Sequence, residues 1–362
     1  MKRMKRSFAL VLVGIMTAVL LAGCSVPAPE ATATPDTTNI PATATDAQEN
    51  APEATEAAEP KELTTVSIQI DGAAVPYYAP LYLAQEKGYF AEQGLNVEFY
   101  YAAAADIVKN VAAGNVEFGF PNADSVILAK SQEIPVKVVH TTYQNGLGAT
   151  IFPTNSDIKT PADLKGKKIA VTSLGSPNYI QLQVLLKKNG LTLDDVQVEI
   201  IGTGAILNAL TTGEVDAIVF SMLRTIELNA SGFEASEFRS DDFLPSFGNV
   251  LITGDQYAAE HPEIVEAFRA ALTKSIEYIC AGNTEEAVDM AIEKYAPTFA
   301  EKRDITVQIL NEVFIPYLWQ SDYTKANGIG ASDPARWDNL IKTSKEYGII
   351  DAEFASTELL YN

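Results

Sequence analysis

The stretch from Thr65 to Tyr101 constrains the fold most. Thr65–Ile70 alternates β-rich residues as a strand does, then gives way to Gly72 and Pro76. Leu81–Lys87 reads as a helix, interrupted at Gly88 and Gly94 before a second strand over Asn96–Tyr101. A strand, a loop, a helix and a strand in that order make a parallel α/β unit. Its loop carries Tyr77 and Tyr78 at the place where such sheets bind ligands, outside the carboxyl ends of the strands. The same two tyrosines also suit ordinary loop and core positions.

The alternation continues. Ala104–Ala113 reads as a helix stopped by Gly114, Val116–Phe120 as a strand, and Asp124 or Ser125 as the cap of a helix running to Lys130. Val136–Thr142 is a further strand, followed by the glycine-containing connection Tyr143–Gly148. Thr160-Pro161-Ala162-Asp163 looks like a capped helical turn. Ile169–Thr172, Val196–Ile200 and Ala217–Phe220 are strands, with helices to Lys188, over Ala205–Thr212 and from Ser221. Ala113–Phe118 and Thr212–Ala217 repeat one unit, a helix stopped by glycine and then a strand, once in each half. Strand Asn249–Ile252 returns to the first half, and helices over Pro262–Gly282, Glu285–Tyr295 and Asp304–Trp319 pack outside it.

The N-terminus carries a different kind of signal. Lys2, Arg3, Lys5 and Arg6 precede the apolar run Phe8–Leu21, which is too short to span a bilayer comfortably. Leu21-Ala22-Gly23-Cys24 matches a bacterial lipoprotein cleavage box, with Cys24 as the lipidated thiol. Residues 1–23 are therefore expected to be a signal peptide. Residues 24–63, rich in Ala, Pro, Thr and Glu, are expected to be a disordered tether. The net charge is −21, and loss of the four N-terminal cations makes it −25. That balance argues against nucleic acid or an anionic membrane surface as partner of the folded part.

Chemistry leaves few handles. Only Cys24 and Cys280 are present, so no disulfide framework is expected, and two histidines with one free thiol make a zinc site a poor fit. The sequence has no nucleophile elbow and no phosphate-cradling Gly-Lys-Ser/Thr loop. His140 ends an apolar strand and reads more readily as a satisfied core residue than as a base. Asp71 and Asp124 at strand ends could form a carboxylate pair. Ser173-Leu174-Gly175-Ser176, at a strand-to-helix junction, offers hydroxyls and free helix N–H groups to an oxygen-bearing ligand. No arginine occurs between Arg6 and Arg224, while Tyr77, Tyr78, Tyr82, Tyr143 and Tyr179 crowd the first half, Tyr82 as a core residue. Ala73, Ala74 and Ala102–Ala105 leave room. Tyrosine faces without a free guanidinium favour a flat, neutral or weakly charged heterocycle.

The run Pro80-Leu-Tyr-Leu-Ala-Gln-Glu-Lys-Gly-Tyr-Phe-Ala-Glu-Gln-Gly-Leu-Asn-Val-Glu98 resembles the first segment of bacterial solute-binding proteins. It is nearest to the group that includes nitrate, sulfonate and taurine receptors and thiamine-pyrimidine-precursor-binding proteins. Ala112–Phe120, Ile134–Val139 and Thr160–Val171 follow that family in kind and order. The resemblance implies an α/β, periplasmic-binding-protein-like fold with two lobes and a two-crossing hinge. Lobe 1 would comprise 64–149 plus 248–362 and lobe 2 would comprise 150–247, with crossings near 149–150 and 246–248. It implies Asn122 and Asp124, Ser173, Gly175, Ser176 and Tyr179, and Ser221 with Arg224 as ligand contacts, beside Asp71, Tyr77, Tyr78 and Tyr143. It also implies a monomeric, membrane-anchored receptor on the extracytoplasmic face, serving the permease and ATPase subunits of an ABC importer. No cofactor or metal is expected. Riboflavin leads as ligand, with a thiamine pyrimidine precursor next and an aliphatic sulfonate or taurine after it. The eukaryotic pyrimidine-synthesis enzymes of this family use a histidine donor, and His140 does not sit in a recognisable version of their motif.

Overall fold

The computed structural model describes residues 62–361. The signal peptide, Cys24 and almost all of the expected tether lie outside the described residues. The chain builds two five-stranded mixed sheets. The first contains β1 (Thr64–Asp71), β2 (Leu95–Ala102), β3 (Phe118–Phe120), β4 (Val136–His140) and β10 (Leu251–Gly254), in the order β2-β1-β3-β10-β4. The second contains β5 (Gly148–Pro153), β6 (Lys168–Val171), β7 (Gln197–Ile200), β8 (Ala217–Ser221) and β9 (Ala235–Arg239), in the order β7-β6-β8-β5-β9. In each sheet three neighbouring strands run parallel and a fourth, antiparallel to them, is the first strand laid down after the chain crosses over. The repeated helix-glycine-strand unit falls at equivalent places, β3 and β8. Gly114 (φ +70°) and Gly213 (φ +75°) end the preceding helices in the left-handed conformation that favours glycine.

Packing follows from composition. β3 is the wholly buried Phe-Gly-Phe. A side chain at Gly119 would meet Ile107 Cγ2 at 2.6 Å and Val111 Cγ2 at 2.9 Å, so glycine is what lets the helix Ala104–Ala112 lie so close. On the other face Phe118 and Phe90 both pack on Phe268 of the helix Pro262–Cys280, at 4.4 and 4.7 Å between ring centres. Among the described residues, no helix is long and apolar enough to cross a membrane.

The chain leaves the first sheet through 141–147 and returns through 240–250. The first crossing lies ahead of 149–150, because Gly148–Ile151 already pair with β8 and Ala149–Pro153 with β9. The two crossings are bonded to each other. The Tyr143 N–H donates to the Asn249 carbonyl (2.9 Å), and the Gly248 N–H donates to the Tyr143 carbonyl (3.0 Å).

The C-terminal segment straps both crossings. The half-buried Arg336 guanidinium donates to the Gln144 carbonyl, to Asn145 Oδ1 (3.0 Å) and to the Ser246 carbonyl (2.9 Å), and it lies over the Phe247 ring. The expected helix Asp304–Trp319 is instead the α-helix Arg303–Ile309 followed by π-helical turns over Leu310–Leu318, with Pro316 inside them. Proline has no N–H to continue an α-helical ladder, and wider turns accommodate it. Cys280 is free and half-buried rather than fully enclosed. His140 is buried beside Thr142 Oγ1 (2.8 Å) and Thr273 Oγ1 (3.3 Å); burial drives its pKa down to about 3, so it stays neutral.

Candidate binding site between the lobes

Parallel strands point their carboxyl ends at the seam between the two sheets. β1 and β3 are adjacent, with Ile70 opposite Phe120, so Pro121 follows opposite Asp71 and Asn122 stands one residue beyond, its amide near enough to act on the Asp71 carboxyl. Asp71 also pairs with Ala102 at the end of β2. Asn122, not Asp124 or Ser125, caps the helix Ala123–Ser131, its Oδ1 accepting from the Ser125 N–H at 3.0 Å. The preceding Pro121 holds the chain extended, which leaves position 122 as the last non-helical residue and the only one whose oxygen can reach back to residue 125. Capping with the oxygen directs the Asn122 amide nitrogen away, and that buried nitrogen has no hydrogen-bond partner.

Asp71 and Tyr78 sit deep in the molecule yet keep part of their surface open, as residues lining a recess do. Burial pushes the Asp71 carboxyl up to about 6, against the pull of the Ala104 N–H and the Asn122 amide. Tyr78 donates its hydroxyl to the Asp71 carbonyl (2.7 Å) and sets its ring edge-on to Phe120. Burial, then the Asp71 charge, hold that hydroxyl well above its ordinary pKa.

The other tyrosines lie elsewhere. Tyr77 is in the core, its ring stacked on Phe314 (5.4 Å between centres, 12° between planes) and edge-on to Phe299. Its faces are taken, and what reaches across the seam is its hydroxyl, which donates to Glu227 Oε1 at 2.9 Å. Tyr143 is buried in the hinge, edge-on to Phe120 and Phe314, with its hydroxyl donating to the Tyr77 carbonyl (3.3 Å). Tyr82 stacks on Tyr295 in the core, as its place on a helix face suggests.

From the second sheet, β8 leads through Ser221 into the helix Leu223–Ala230. Ser221 Oγ accepts from the Leu223 N–H (3.3 Å). Arg224 donates to Glu227 Oε1 at 2.5 Å and lies over the Phe220 ring, and its Nε is unpartnered. Its charge offsets, as a small influence, the rise in the Tyr78 hydroxyl's pKa. Glu227 thereby gathers Arg224, Tyr77 and Lys302, the last at 3.1 Å. Ser176 caps the helix Pro177–Lys188, while Ser173 and Gly175 stand exposed after β6 and Tyr179 is half-buried.

Asp124 lies behind this surface rather than on it. It is buried, accepting from Ser246 Oγ (2.7 Å) and Gln181 Nε2 (3.3 Å), so it ties the first lobe to the hinge and to the second lobe. Burial raises its pKa to about 6. Gly148 permits the arrangement, since a Cβ there would fall 2.0 Å from Gln181 Oε1. Gln181 and Glu227 escaped the sequence reading, though each left a trace. Gln181 interrupts the apolar stripe Ile180-Leu182-Val184-Leu185, and Glu227 stands one helical turn from the first arginine of the folded region.

A cavity of about 600 Å³ opens between the helix Leu223–Ala230 and residues 300–305. It touches Glu227 but not Asp71, Tyr78 or Asn122, and is a separate opening. No cluster of three metal-binding side chains occurs among the described residues.

Two mixed sheets joined by paired crossings, with polar side chains gathered at the strand ends, define a bilobal protein of the periplasmic-binding-protein fold. The chain belongs to the NMT1/THI5-like family, whose model matches residues 75–287. The riboflavin-binding protein RibY of Chloroflexus aurantiacus is 27% identical over 344 residues, which cover 94% of this chain and 92% of that protein. A formylaminopyrimidine-binding protein of Halalkalibacterium halodurans is 27% identical over 79% of this chain and 86% of its own length. A 4-amino-5-hydroxymethyl-2-methylpyrimidine phosphate synthase of Aspergillus parasiticus is 31% identical over 60% of this chain and 68% of its own. Among solved structures, the periplasmic aliphatic sulphonate binding protein SsuA of Escherichia coli superposes with a TM-score of 0.61 at 14% identity, over 82% of this chain and 92% of that one.

Proposed function

We propose that this chain is the solute-binding receptor of an ABC importer and that it captures a planar, uncharged heterocycle, riboflavin in the first instance. The observation that carries the ligand reading is the pairing of Arg224. This cation is already matched by the buried Glu227, and an anion arriving there would compete with that pair. A sulfonate or taurine gains little from such a site. Tyr78 offers a partly open ring, and the small residues Ala73, Ala74, Ala102 and Ala103 keep the surroundings roomy. The names of the two binding relatives agree with a vitamin-type ligand, and a pyrimidine precursor is the second reading.

Against an enzyme of the synthase kind stands His140. It is buried, neutral and enclosed between Thr142 and Thr273. Anchorage through lipid on Cys24, a tether over 24–63, the extracytoplasmic face, a monomeric state and partnership with permease and ATPase subunits complete the proposal. Titrating the purified full chain with riboflavin, 4-amino-5-hydroxymethyl-2-methylpyrimidine and taurine, and reading tyrosine fluorescence, tests it. Saturable, reversible quenching by a heterocycle and none by taurine is expected. The opposite ranking would sink the heterocycle reading, and chemical turnover of the heterocycle would sink the receptor reading.

A further inference from the structure

Asn122 is an unusual cap. Its oxygen serves the helix, the residue is only 8% exposed, its buried amide nitrogen has no partner, and it stands near Asp71, which keeps part of its surface open. A buried N–H₂ left unmatched is costly, so a fold that keeps one just past the end of a central strand leaves it for something that arrives. The amide is close enough to Asp71 to influence its ionisation, but the two meet no hydrogen-bond geometry with each other. Together they present one donor and one acceptor.

We propose that Asp71 and the Asn122 amide together read one edge of the bound heterocycle. The carboxylate accepts from a ring N–H or exocyclic amino group, and the amide donates to the neighbouring carbonyl or ring nitrogen. The complementary ligand feature is an amide- or amidine-type edge, donor beside acceptor, on a flat ring. Tyr78, tied to the Asp71 carbonyl, sets that edge against the ring it flanks. An aliphatic sulfonate has no such edge. The inference rests on the receptor reading above and adds to it the part of the ligand that is recognised.

Two matched pairs of probes separate the claims. These are riboflavin with its N3-methyl derivative, and 4-amino-2-methylpyrimidine with its 4-dimethylamino derivative. Methylation removes the donor while keeping the ring. Affinities are measured calorimetrically for the wild-type chain, Asp71→Ala and Asn122→Asp. The second variant keeps the capping oxygen, so the helix start is preserved while the donor becomes an acceptor. For at least one pair the wild type should prefer the unmethylated member by tenfold or more. Asp71→Ala should lose at least tenfold toward that member and bind the methylated one about as the wild type does, so that the preference collapses, whereas Asn122→Asp should weaken both members at least tenfold, since methylation leaves their acceptor in place. Equal binding of both members by the wild type, an Asp71→Ala variant that retains the full preference, or an Asn122→Asp variant that binds both members as the wild type does would overturn the edge reading while leaving the receptor intact. If no heterocycle binds the wild-type chain, the heterocycle-receptor reading itself fails and the edge inference falls with it.

Discussion

Replacing Tyr77 by phenylalanine isolates a hydroxyl that joins the lobes through the buried Glu227 carboxylate. The ring keeps its stacking on Phe314 and its edge contact with Phe299, and Glu227 keeps Arg224 and Lys302, so no charge is left unmatched. What disappears is the 2.9 Å bond from the hydroxyl to Glu227. A hydrogen bond to a charged group contributes about 1.5–3 kcal/mol, and this one exists only when the lobes meet. If ligand binding is coupled to closure, removing it lowers the closed population, and with it the apparent affinity, by roughly 10- to 100-fold. Calorimetric titration gives the affinity, small-angle scattering the change in radius of gyration on binding, and the melting temperature a stability control. Tyr143→Phe is the companion, because its hydroxyl stays on the Tyr77 carbonyl within the first lobe and should matter far less. Tyr77→Ala should instead cost about 3–5 kcal/mol of stability by emptying a core position. An affinity and a scattering profile unchanged in Tyr77→Phe would refute the coupling of this bond to closure.

Three further outcomes follow from the same geometry. Asp124 has its pKa raised from 3.8 to about 6 by burial, so its contribution to stability is complete below about pH 4 and is lost as pH rises to about 6. Denaturant midpoints should fall across that window, with about 3 kcal/mol of the fall due to Asp124 and a similar share due to Asp71, whose carboxyl is raised to the same value, and Asp124→Asn should remove the first share. Gly330→Ala should destabilise by roughly 3 kcal/mol in urea unfolding, because φ is +80° and the new methyl would lie 1.8 Å from His140 Nε2. Arg336→Lys should lower the melting temperature and loosen hydrogen-exchange protection at 144–146 and 246–249, since an ammonium cannot reproduce the planar fork that reaches Gln144, Asn145 and Ser246 together.

The alternation of strand and helix, and the repeated helix-glycine-strand unit, were legible because parallel strands buried on both faces and glycine-stopped helices leave strong local patterns. β5 and β9 were not. Gly148–Pro153 begins and ends with turn-forming residues, and Ala235–Arg239 is a half-buried edge strand without clean alternation. Asp71, Asn122 and Arg224 were readable as strand-end and helix-start residues, and the structure brings them to one seam. The tyrosines were harder to sort. Nothing in a sequence tells whether a ring in a loop faces a recess or another ring, and Phe299 and Phe314, which claim Tyr77, come from more than two hundred residues later.

That distance bears on how the hinge works. A two-crossing hinge made only of 141–147 and 240–250 would bend freely about its glycines. Here the carbonyls and side chains that would swing are held from a third direction. Gln144 and Asn145 bond to Leu318 and Tyr317, and Asp241 accepts from the Tyr317 hydroxyl and from the N–H groups of Gly146 and Ser246. Lobe movement must therefore pivot about this fixed knot rather than through it. The contacts free to break are the outlying ones, Tyr77 with Glu227 and Asp124 with Gln181. Both place a carboxylate where opening would hydrate it and closing strips water from it. For Asp124, whose carboxyl is held near pH 6 by that loss of water, proton uptake should favour the closed arrangement. Scattering of the ligand-free chain should accordingly show a smaller radius of gyration at pH 5 than at pH 8, with the difference reduced in Asp124→Asn; a pH-independent radius would mean that the acid stays dry in both arrangements.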